Sequence, residues 1–212
     1  MTASINESLQ WRYATKQFDP TKKVSPEDLN DLLESLRLTP SSFGIQAWKF
    51  VVVTNPDLRA RLRENSWGQP QVTDASHLIV LCAHKTIDEK TIRHYVESIA
   101  EQRGVAIDTL KEYEDRMNGF VKALSPEALS SWLQKQLYIA LGILHAACAA
   151  KKIDSCPMEG FDKAKVDEIL ELDKLNLQSV VLCPIGYRSS EDIFASMKKV
   201  RFALDELVVT KA

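Results

Sequence analysis

The segment SSWLQKQLYIALGILHAACAAKK, residues 130–152, is the clearest helix in the sequence. From Leu137 to Ala150 it is apolar nearly all round, which is typical of a helix that is buried on every side. In a chain of 212 residues, such a helix lies either at the centre of a domain or in an interface between subunits. The apolar run is interrupted by Gly142 and His145 and is shorter than the roughly 20 residues that a membrane span needs, so we expect no membrane partner.

Strands and a second helix are predicted after this central helix. IDSCPM (153–158) and SVVLCPIG (179–186) are short apolar runs that predict two strands. A helical pattern extends between them from Phe161 to about Leu172. The segment DELVVTKA (205–212) is a candidate for an arm that lies on another subunit.

The residues before the central helix predict two more strands and three helical segments. WKFVVVT (48–54) and HLIVLCAH (77–84) have the pattern of buried strands. In SPEDLNDLLESLRL (25–38), Ser25 is a candidate N-cap and Pro26 suits the first helical position. Further helical patterns cover residues 55–65 and 87–118.

These elements combine into an α+β layered domain in which helices flank a sheet of roughly four strands. The composition, 45% hydrophobic and 26% charged, is that of an ordinary globular protein. No repeat, low-complexity stretch or Gly/Ser-rich linker marks a boundary in the chain. We therefore predict a single domain covering residues 1–212.

The charge balance and the cysteines limit the classes of function. With 27 basic and 29 acidic residues the formal charge is −2, which argues against a nucleic-acid partner. The N-terminal MTASINESLQ lacks the apolar core of a signal peptide. All four cysteines lie in apolar runs outside any CxxC pair, which is typical of reduced thiols in a cytoplasmic protein.

The common nucleotide and metal motifs are missing from the sequence. It contains neither GxGxxG nor GxxxxGK[ST], so a Rossmann dinucleotide site and a P-loop are not predicted. The histidines form no HxxxH or HExxH pattern, and we predict no metal site. For His145, within the apolar helix, a hydrogen-bonded core or interface role is the favoured interpretation.

Cations occur in alternating pairs near both ends of the chain. WRYATKQFDP (11–20) contains Arg12 and Lys16, and SMKKVRFA (196–203) contains Lys199 and Arg201. In an extended segment, alternate side chains point to the same side. Brought together, the two segments would form a compact phosphate site. The alternative is an ordinary solvated or salt-bridged surface.

Two polar turns are candidates for contacts to a ligand. TPSSFGIQAWKF (39–50) places two serines directly after a helix, where hydroxyl and amide groups can donate hydrogen bonds. The alternative for this turn is a simple helix terminator. CPMEGFD (156–162) leads into a helix, and backbone N–H groups at a helix start suit an electron-rich ligand atom.

The ordered set RYATKQFD, TPSSFGIQAWKF, DASH, PMEGFD and KKVRF resembles the nitroreductase family of flavoenzymes. The likeness covers about residues 7–202 and is to the oxygen-insensitive NAD(P)H nitroreductase and dihydropteridine reductase branch. It implies a layered α+β nitroreductase-like fold with a central, mostly antiparallel sheet. It also implies an intertwined homodimer that binds two FMN molecules at the subunit interface.

The resemblance also implies which residues hold the cofactor. Lys199 and Arg201 match the pair that holds the FMN phosphate, and Phe43 and Gly44 are expected beside the substrate. We expect no obligatory catalytic side chain, because the flavin carries the chemistry. The expected cofactor-binding residues are Arg12, Tyr13, Ala14, Lys16, Ser41, Ser42, Phe43, Gln69, Gln71, Pro157, Met158, Glu159, Gly160, Lys199 and Arg201.

Several positions differ from the pattern that the family often shows. Ala14 stands where a serine is common, and Gly44 where an asparagine is common. Gly68 occupies an asparagine position and Gln71 a lysine position near the flavin. A neutral amide stabilises a reduced, anionic flavin less than a lysine does, so we expect a lower reduction potential. Phe43 is expected to narrow or stack over the substrate space.

The activity implied by the resemblance is a ping-pong oxidoreduction. NAD(P)H passes hydride to flavin N5 and leaves, and a small electron acceptor then takes its place. Nitroaromatics, quinones and pteridines are the acceptor classes implied. The alternatives are a specialised flavin or dihydropteridine reductase and a non-catalytic protein that binds or stores flavin.

Overall fold

Within residues 4–211, which the computed structural model describes, four strands form one antiparallel sheet. The strands lie in the order β1-β2-β4-β3. The two central strands, β2 and β4, are buried along nearly their whole length, as their apolar sequences predict. The bounds of the strands are β1 (Trp48–Val53), β2 (His77–His84), β3 (Asp154–Ser155) and β4 (Leu177–Gly186).

Nine α-helices of the described chain surround the sheet, and 3-10 turns connect several of them. The α+β class that the sequence predicts is confirmed. The helices are α1 (Ile5–Trp11), α2 (Pro26–Arg37), α3 (Pro56–Glu64), α4 (Gln71–Asp74), α5 (Glu89–Arg103), α6 (Lys111–Lys122), α7 (Pro126–Ala150), α8 (Lys163–Ile169) and α9 (Leu204–Leu207). The 3-10 turns are Ser42–Gly44, Ile107–Leu110, Leu172–Leu175 and Ile193–Ser196.

Apolar side chains pack against both faces of the sheet. On β2, Ile79 and Leu81 belong to a cluster that includes Leu36 of α2 and Leu137 of α7. Leu78 of the same strand belongs to a second cluster on the opposite face, with side chains from α3 and α8. Successive side chains of a strand point to opposite faces, so β2 contributes to both clusters.

The long central helix starts earlier than its apolar pattern predicts and is not buried on every side. α7 begins at Pro126, because Ser125 caps it by accepting a hydrogen bond from the Ala128 N–H at 3.2 Å. Tyr138 and Ile139 are 43% and 45% exposed, and Ile143 is 39% exposed. The prediction of burial all round is therefore wrong for a single copy of the chain. Of the described helices, none is long and apolar enough to cross a membrane.

Three predicted elements have different limits. The helical pattern of residues 87–118 forms α5 and α6, because Gly104 adopts a left-handed φ of 63° and ends α5. The strand predicted at 153–158 is limited to β3 and a single bridge at Met158, since Pro157 has no N–H to donate to a sheet. The helix predicted from Phe161 begins two residues later, after its N-cap Asp162.

Candidate cofactor site

The two cation-bearing segments meet at one cavity. A cavity of about 660 Å³ is lined by Arg12 and Lys16 from the segment after α1, and by Lys199 and Arg201 from the segment before α9. Pro157 also lines it, from the turn before α8. The structure therefore brings together the four cations that the sequence analysis groups, although 187 positions separate Arg12 from Lys199.

The four cations of this cavity lack a salt-bridge partner among residues 4–211. None of the four forms a salt bridge with a described carboxylate. Burial lowers the pKa of Arg12, and the nearby Arg201 lowers it further. Burial also lowers the pKa of Lys199, with Arg12 and Arg201 as further causes, and its Nζ donates to the Arg12 carbonyl. The arrangement favours an anionic ligand, which would stabilise cations that now repel one another.

Two buried nitrogen atoms, on Arg12 and on the nearby His145, have no hydrogen-bond partner in the part of the chain that the structure describes. One is Nε of Arg12, and the other is Nε2 of His145 on α7. The other ring nitrogen of His145 is 2.7 Å from the Ser155 hydroxyl. Burial, and secondarily Arg12, lowers the pKa of His145 to about 4, so the ring is neutral at pH 7. Unsatisfied buried polar atoms are rare in native proteins and indicate an additional partner at this place.

Tyr13 and Ala14 belong to the extended segment after α1 that also carries Arg12 and Lys16. Ala14 forms a parallel bridge with Ser155, and this bridge places the segment beside β3. The ring of Tyr13 lies 4.6 Å from the guanidinium of Arg188, which makes a bidentate pair with the buried Asp154. The backbone of residues 12–16 is thus attached to the edge of the sheet.

The turn from Pro157 to Gly160 is held on several sides. Met158 exchanges two backbone hydrogen bonds with Leu182 of β4, at 2.8 and 3.0 Å. The Gly160 carbonyl accepts a hydrogen bond from Gln69 Nε2 at 2.9 Å. The ring of Trp67 lies so close to Gly160 that a Cβ added there would be 2.3 Å from it. A side chain at position 160 would therefore displace this ring.

Two amide groups of this turn remain available. The N–H groups of Glu159 and Gly160 donate no hydrogen bond within the described part of the chain. The Glu159 carboxylate accepts from Tyr138 Oη at 2.6 Å. The donors were expected at a helix start, but α8 begins only at Lys163, so they belong to the turn that precedes it.

The serine turn lies outside the cavity of the single chain. Ser41 Oγ accepts from the Gln46 N–H at 3.1 Å, and the Ser42 N–H donates to Gln136 Oε1 at 2.9 Å. Gly44 has a left-handed φ of 75°. A Cβ on this glycine would be 2.3 Å from the Tyr95 hydroxyl oxygen, so the position requires glycine.

Phe43 does not cover open space, in contrast to the expectation from the sequence. Its ring packs edge-on against Tyr113, Phe120 and Trp132, with centroid distances of 5.3 to 6.4 Å. Its carbonyl accepts hydrogen bonds from Tyr95 Oη at 2.9 Å and from Tyr113 Oη at 2.6 Å. The backbone φ of 57° turns the side chain toward α6 and α7. Phe43 thus joins the turn to these helices.

Gln69 and Gln71 have different environments. Gln69 donates to the Gly160 carbonyl, as described above. Gln71 is 5% exposed, and its buried Oε1 accepts no hydrogen bond from residues 4–211. Gly68, with a left-handed φ of 69°, accepts a hydrogen bond at its carbonyl from Arg63 Nε at 3.0 Å. Neither glutamine lines the cavity of the four cations.

Several residues of this region were not predicted from the sequence. Trp67, Gln136 and His145 contact or border the predicted site. Of these, the sequence singles out only His145, as a hydrogen-bonded core or interface histidine. Tyr138 was hidden in the apolar pattern of α7. The left-handed backbone φ of 54° at Trp67 has no simple sequence signature. Contacts between distant parts of the chain leave no local pattern.

The antiparallel sheet, its helical layers and the basic cavity at its edge define an α+β protein with a ligand-sized, cationic site. The sequence profile of the nitroreductase family matches residues 9–187, and the chain belongs to this family. The match confirms the resemblance carried by the ordered motifs.

Relatives with assigned names cover nearly the whole chain. A Staphylococcus epidermidis protein, named provisionally as an NAD(P)H nitroreductase, is 40% identical over 199 residues, which are 90% of this chain and 90% of that protein. A Staphylococcus aureus protein with the same provisional name is 37% identical over 216 residues, covering 98% and 96% of the two chains.

Solved structures share the fold. A Bacillus subtilis protein described provisionally as a nitroreductase has a TM-score of 0.87 at 21% identity, over 97% of this chain and 98% of that one. An Exiguobacterium sibiricum protein with the same provisional description, crystallised in complex with FMN, has a TM-score of 0.82 at 22% identity, over 100% and 99%. At these identities the likeness shows the fold alone, and it confirms the nitroreductase-like architecture.

Proposed function

We propose that this protein is an FMN-dependent NAD(P)H oxidoreductase. The observation that carries the proposal is the cavity in which Arg12, Lys16, Lys199 and Arg201 converge without a carboxylate partner among the described residues. The family membership and the names of the relatives support the same function. The FMN-bound relative of the same fold supports the choice of cofactor.

The residues present fit a flavin phosphate. Arg12 has a buried Nε without a partner, and a phosphate oxygen is a strong acceptor for it. Lys16, Lys199 and Arg201 add positive charge around the same cavity. Ala14 contributes no hydroxyl, so the cations carry the phosphate recognition. We infer that these four side chains bind the phosphate end of FMN.

The turn before α8 fits the ring end of the cofactor. The N–H groups of Glu159 and Gly160, which donate no hydrogen bond within residues 4–211, are donors for an electron-rich ligand atom. Bound FMN supplies hydride transfer between NAD(P)H and a second substrate. In this interpretation, the side chains hold the cofactor and exclude water, and none acts as nucleophile.

A homodimer is the proposed assembly. Tyr138, Ile139 and Ile143 form an exposed, largely apolar face on α7. The C-terminal segment adds Phe202 and Leu204, which are 74% and 76% exposed. Such apolar exposure marks an interaction surface, and a second copy of the chain would bury it. It would also bring its own serine turn, Ser41–Ser42, to the interface.

The dimer is tested by sedimentation velocity on the wild type and on Ile143→Lys. We expect a dimer for the wild type and a shift toward monomer for the variant, because a lysine would be desolvated in the interface. Lys135→Ala on the same helix serves as a control, since it introduces no buried charge. A monomeric wild type at micromolar concentration would contradict the assembly.

Nitroaromatics, quinones and pteridines are the proposed acceptor classes. The departures at Gly44, Gly68 and Gln71 concern the acceptor space and the flavin environment. With the lysine position occupied by Gln71, the lower reduction potential remains our expectation. A cytoplasmic location also stays a prediction.

The function is tested by the absorbance spectrum of the purified protein during anaerobic addition of NADPH or NADH. We expect flavin absorbance that bleaches with one of the two donors and returns with menadione or nitrofurazone. Lys16→Met is expected to weaken FMN binding about tenfold by losing a charged phosphate contact. Lys174→Met, which removes an exposed lysine paired with Glu171, is the matched control.

Each outcome has a clear meaning. A yellow protein that neither donor bleaches would support the assignment of a flavin cofactor and favour flavin binding without catalysis. A colourless protein that binds no added FMN would contradict the proposed function, and the cations would be surface charge.

A further inference from the structure

One buried carboxylate lies between the two cation-bearing segments. Asp192 is only 3% exposed and does not line the cavity. Its Oδ2 accepts hydrogen bonds from Tyr13 Oη at 2.8 Å, from the Lys16 N–H at 2.8 Å and from the Gln17 N–H at 3.1 Å. Its Oδ1 accepts from the Phe194 N–H at 3.1 Å. Four donors thus converge on one side chain.

These hydrogen bonds connect parts of the chain that are distant in sequence. Lys16 and Asp192 are 176 positions apart. Three of the donors belong to the N-terminal segment, whereas the Phe194 amide lies in the 3-10 turn Ile193–Ser196 that leads to Lys199. Asp192 therefore sets both the position of the first segment and the direction of the second.

Two other contacts join the same segments at their ends. The Ser189 N–H donates to the Gln17 carbonyl at 2.9 Å on one side of Asp192. On the other side, Lys199 Nζ donates to the Arg12 carbonyl. Both contacts use main-chain acceptors, so neither places a negative charge between the segments.

We propose that Asp192 is a positioning residue that assembles the anion site by fixing the two cation-bearing segments to each other. The inference rests on the proposed function, because it assigns a phosphate-bearing flavin to the site. Asp192 itself would repel a phosphate and lies behind the segment rather than in the cavity. Its effect on the ligand therefore passes through Lys16 and Lys199.

The ionised form of Asp192 is required by the donors around it. An ionised carboxylate accepts at both oxygens, whereas an asparagine of the same size has one acceptor and one NH₂ donor. In Asp192→Asn, the NH₂ group would face N–H or O–H donors. Burial alone would raise the pKa of Asp192, but the hydrogen bonds from the Gln17, Lys16 and Phe194 amides and from the Tyr13 hydroxyl together outweigh it and lower the pKa.

The experiment compares FMN with riboflavin, which lacks the phosphate. Apo-protein is titrated with each flavin, and the quenching of flavin fluorescence gives the two Kd values. For Asp192→Asn we expect the Kd for FMN to rise about tenfold or more, and the Kd for riboflavin to change less than about twofold. Asp88→Asn, at the exposed N-cap of α5, is the control and should change neither value.

The FMN-to-riboflavin ratio separates positioning from general damage. Equal weakening of both flavins by Asp192→Asn would overturn the inference, because a merely structural role would not select for the phosphate. Kd values for both flavins equal to those of the wild type would overturn it as well. If the wild type binds neither flavin, the proposed function fails, and the inference fails with it. If the wild type prefers FMN and Asp192→Asn keeps the same preference for FMN over riboflavin, the inference alone fails.

A second variant keeps the test informative if Asp192→Asn does not fold. Tyr13→Phe removes one of the four donors and retains the ring. We expect a smaller loss of FMN selectivity, about two- to fivefold, in a protein with wild-type circular dichroism. Selectivity equal to that of the wild type would overturn the proposal.

Discussion

Arg59 is buried and Arg12 is half-buried, but only the Arg59 guanidinium has hydrogen-bond partners among the described residues. The Arg59 guanidinium donates to the carbonyls of Val72 at 2.8 Å, Ala75 at 2.6 Å and Ser76 at 3.1 Å. The Arg12 guanidinium donates no hydrogen bond within the described residues, and its Nε is buried. Arg59 therefore completes the fold, whereas Arg12 keeps its donors free for the anionic ligand that we propose.

The difference shows how a buried cation can be assigned to structure or to binding. Around Arg59, the end of α4 supplies carbonyl oxygens that carry partial negative charge. Around Arg12, the charged group that most affects its pKa is another cation, Arg201, which lowers it further after burial. Cations that repel one another are stabilised by an anion, so we assign Arg59 to the fold and propose that Arg12 is retained for binding.

The largest effect is expected on stability when Arg59 is replaced. Arg59→Met leaves three carbonyls without their charged donor, and we expect a loss of about 3 kcal/mol in the free energy of unfolding. Urea denaturation of the apo-protein measures it. Arg12→Met should change the same quantity by less than about 1 kcal/mol, because it removes no hydrogen bond and relieves a repulsion with Arg201. Equal losses in the two variants would break the comparison.

The second effect concerns ligand affinity, and here the variant of Arg12 is expected to have a large effect although its effect on stability is small. For Arg12→Met we expect the Kd for FMN to rise about thirtyfold, the loss of one charged hydrogen bond to a phosphate of about 2 kcal/mol. Arg61→Met, which removes an exposed arginine at the far side of α3, is the control. Isothermal titration with FMN measures both. Unchanged affinity in Arg12→Met would remove this residue from the site.

The smallest effect is on histidine titration. His145 is neutral because burial, followed by Arg12, lowers its pKa to about 4 from 6.5. Its contribution to stability is therefore complete above pH 6.5 and is lost as the pH falls toward 4. We expect Arg12→Met to raise the pKa of His145 in the folded protein, which makes this loss of stability smaller because the folded and unfolded pKa values then lie closer together. NMR titration of the imidazole measures the pKa.

A neighbouring histidine provides the matched control. The pKa of His77 is lowered by burial and then by Arg59. Arg12→Met should leave the pKa of His77 unchanged. A parallel rise at both histidines would indicate a general loosening of the fold, and the specific effect of Arg12 would be refuted.

The fold can be predicted from the sequence where the signal is local. The prediction fails where an element depends on contacts between distant parts of the chain. The apolar runs of β2 and β4 and the capping serine of α2 lie within single elements, so a pattern of a few residues specifies them. The start of α7 was missed, because its first turn is polar and only Ser125 and Pro126 mark it. The all-round apolar pattern of α7 could not tell burial within the chain from an exposed face.

The candidate site was predictable from the identities of its cations and not from the residues that hold them. Arg12, Lys16, Lys199 and Arg201 carry charge in a recognisable alternation. Asp192 sits in SSEDIF, where it looks like an ordinary cap of a short helix. Its other donors come from residues 13–17, and no local pattern can show that partnership.

The great sequence separation of Arg12 and Lys199 has a consequence for protein synthesis. A ribosome adds about 5–20 residues each second, so Arg12 is made many seconds before Lys199 and Arg201. The sheet and both apolar clusters are complete in sequence by Gly186, ahead of the last cations. A nascent chain can therefore collapse around its core while still unable to retain a phosphate. Cofactor loading is, by this order, among the last events in the maturation of the protein.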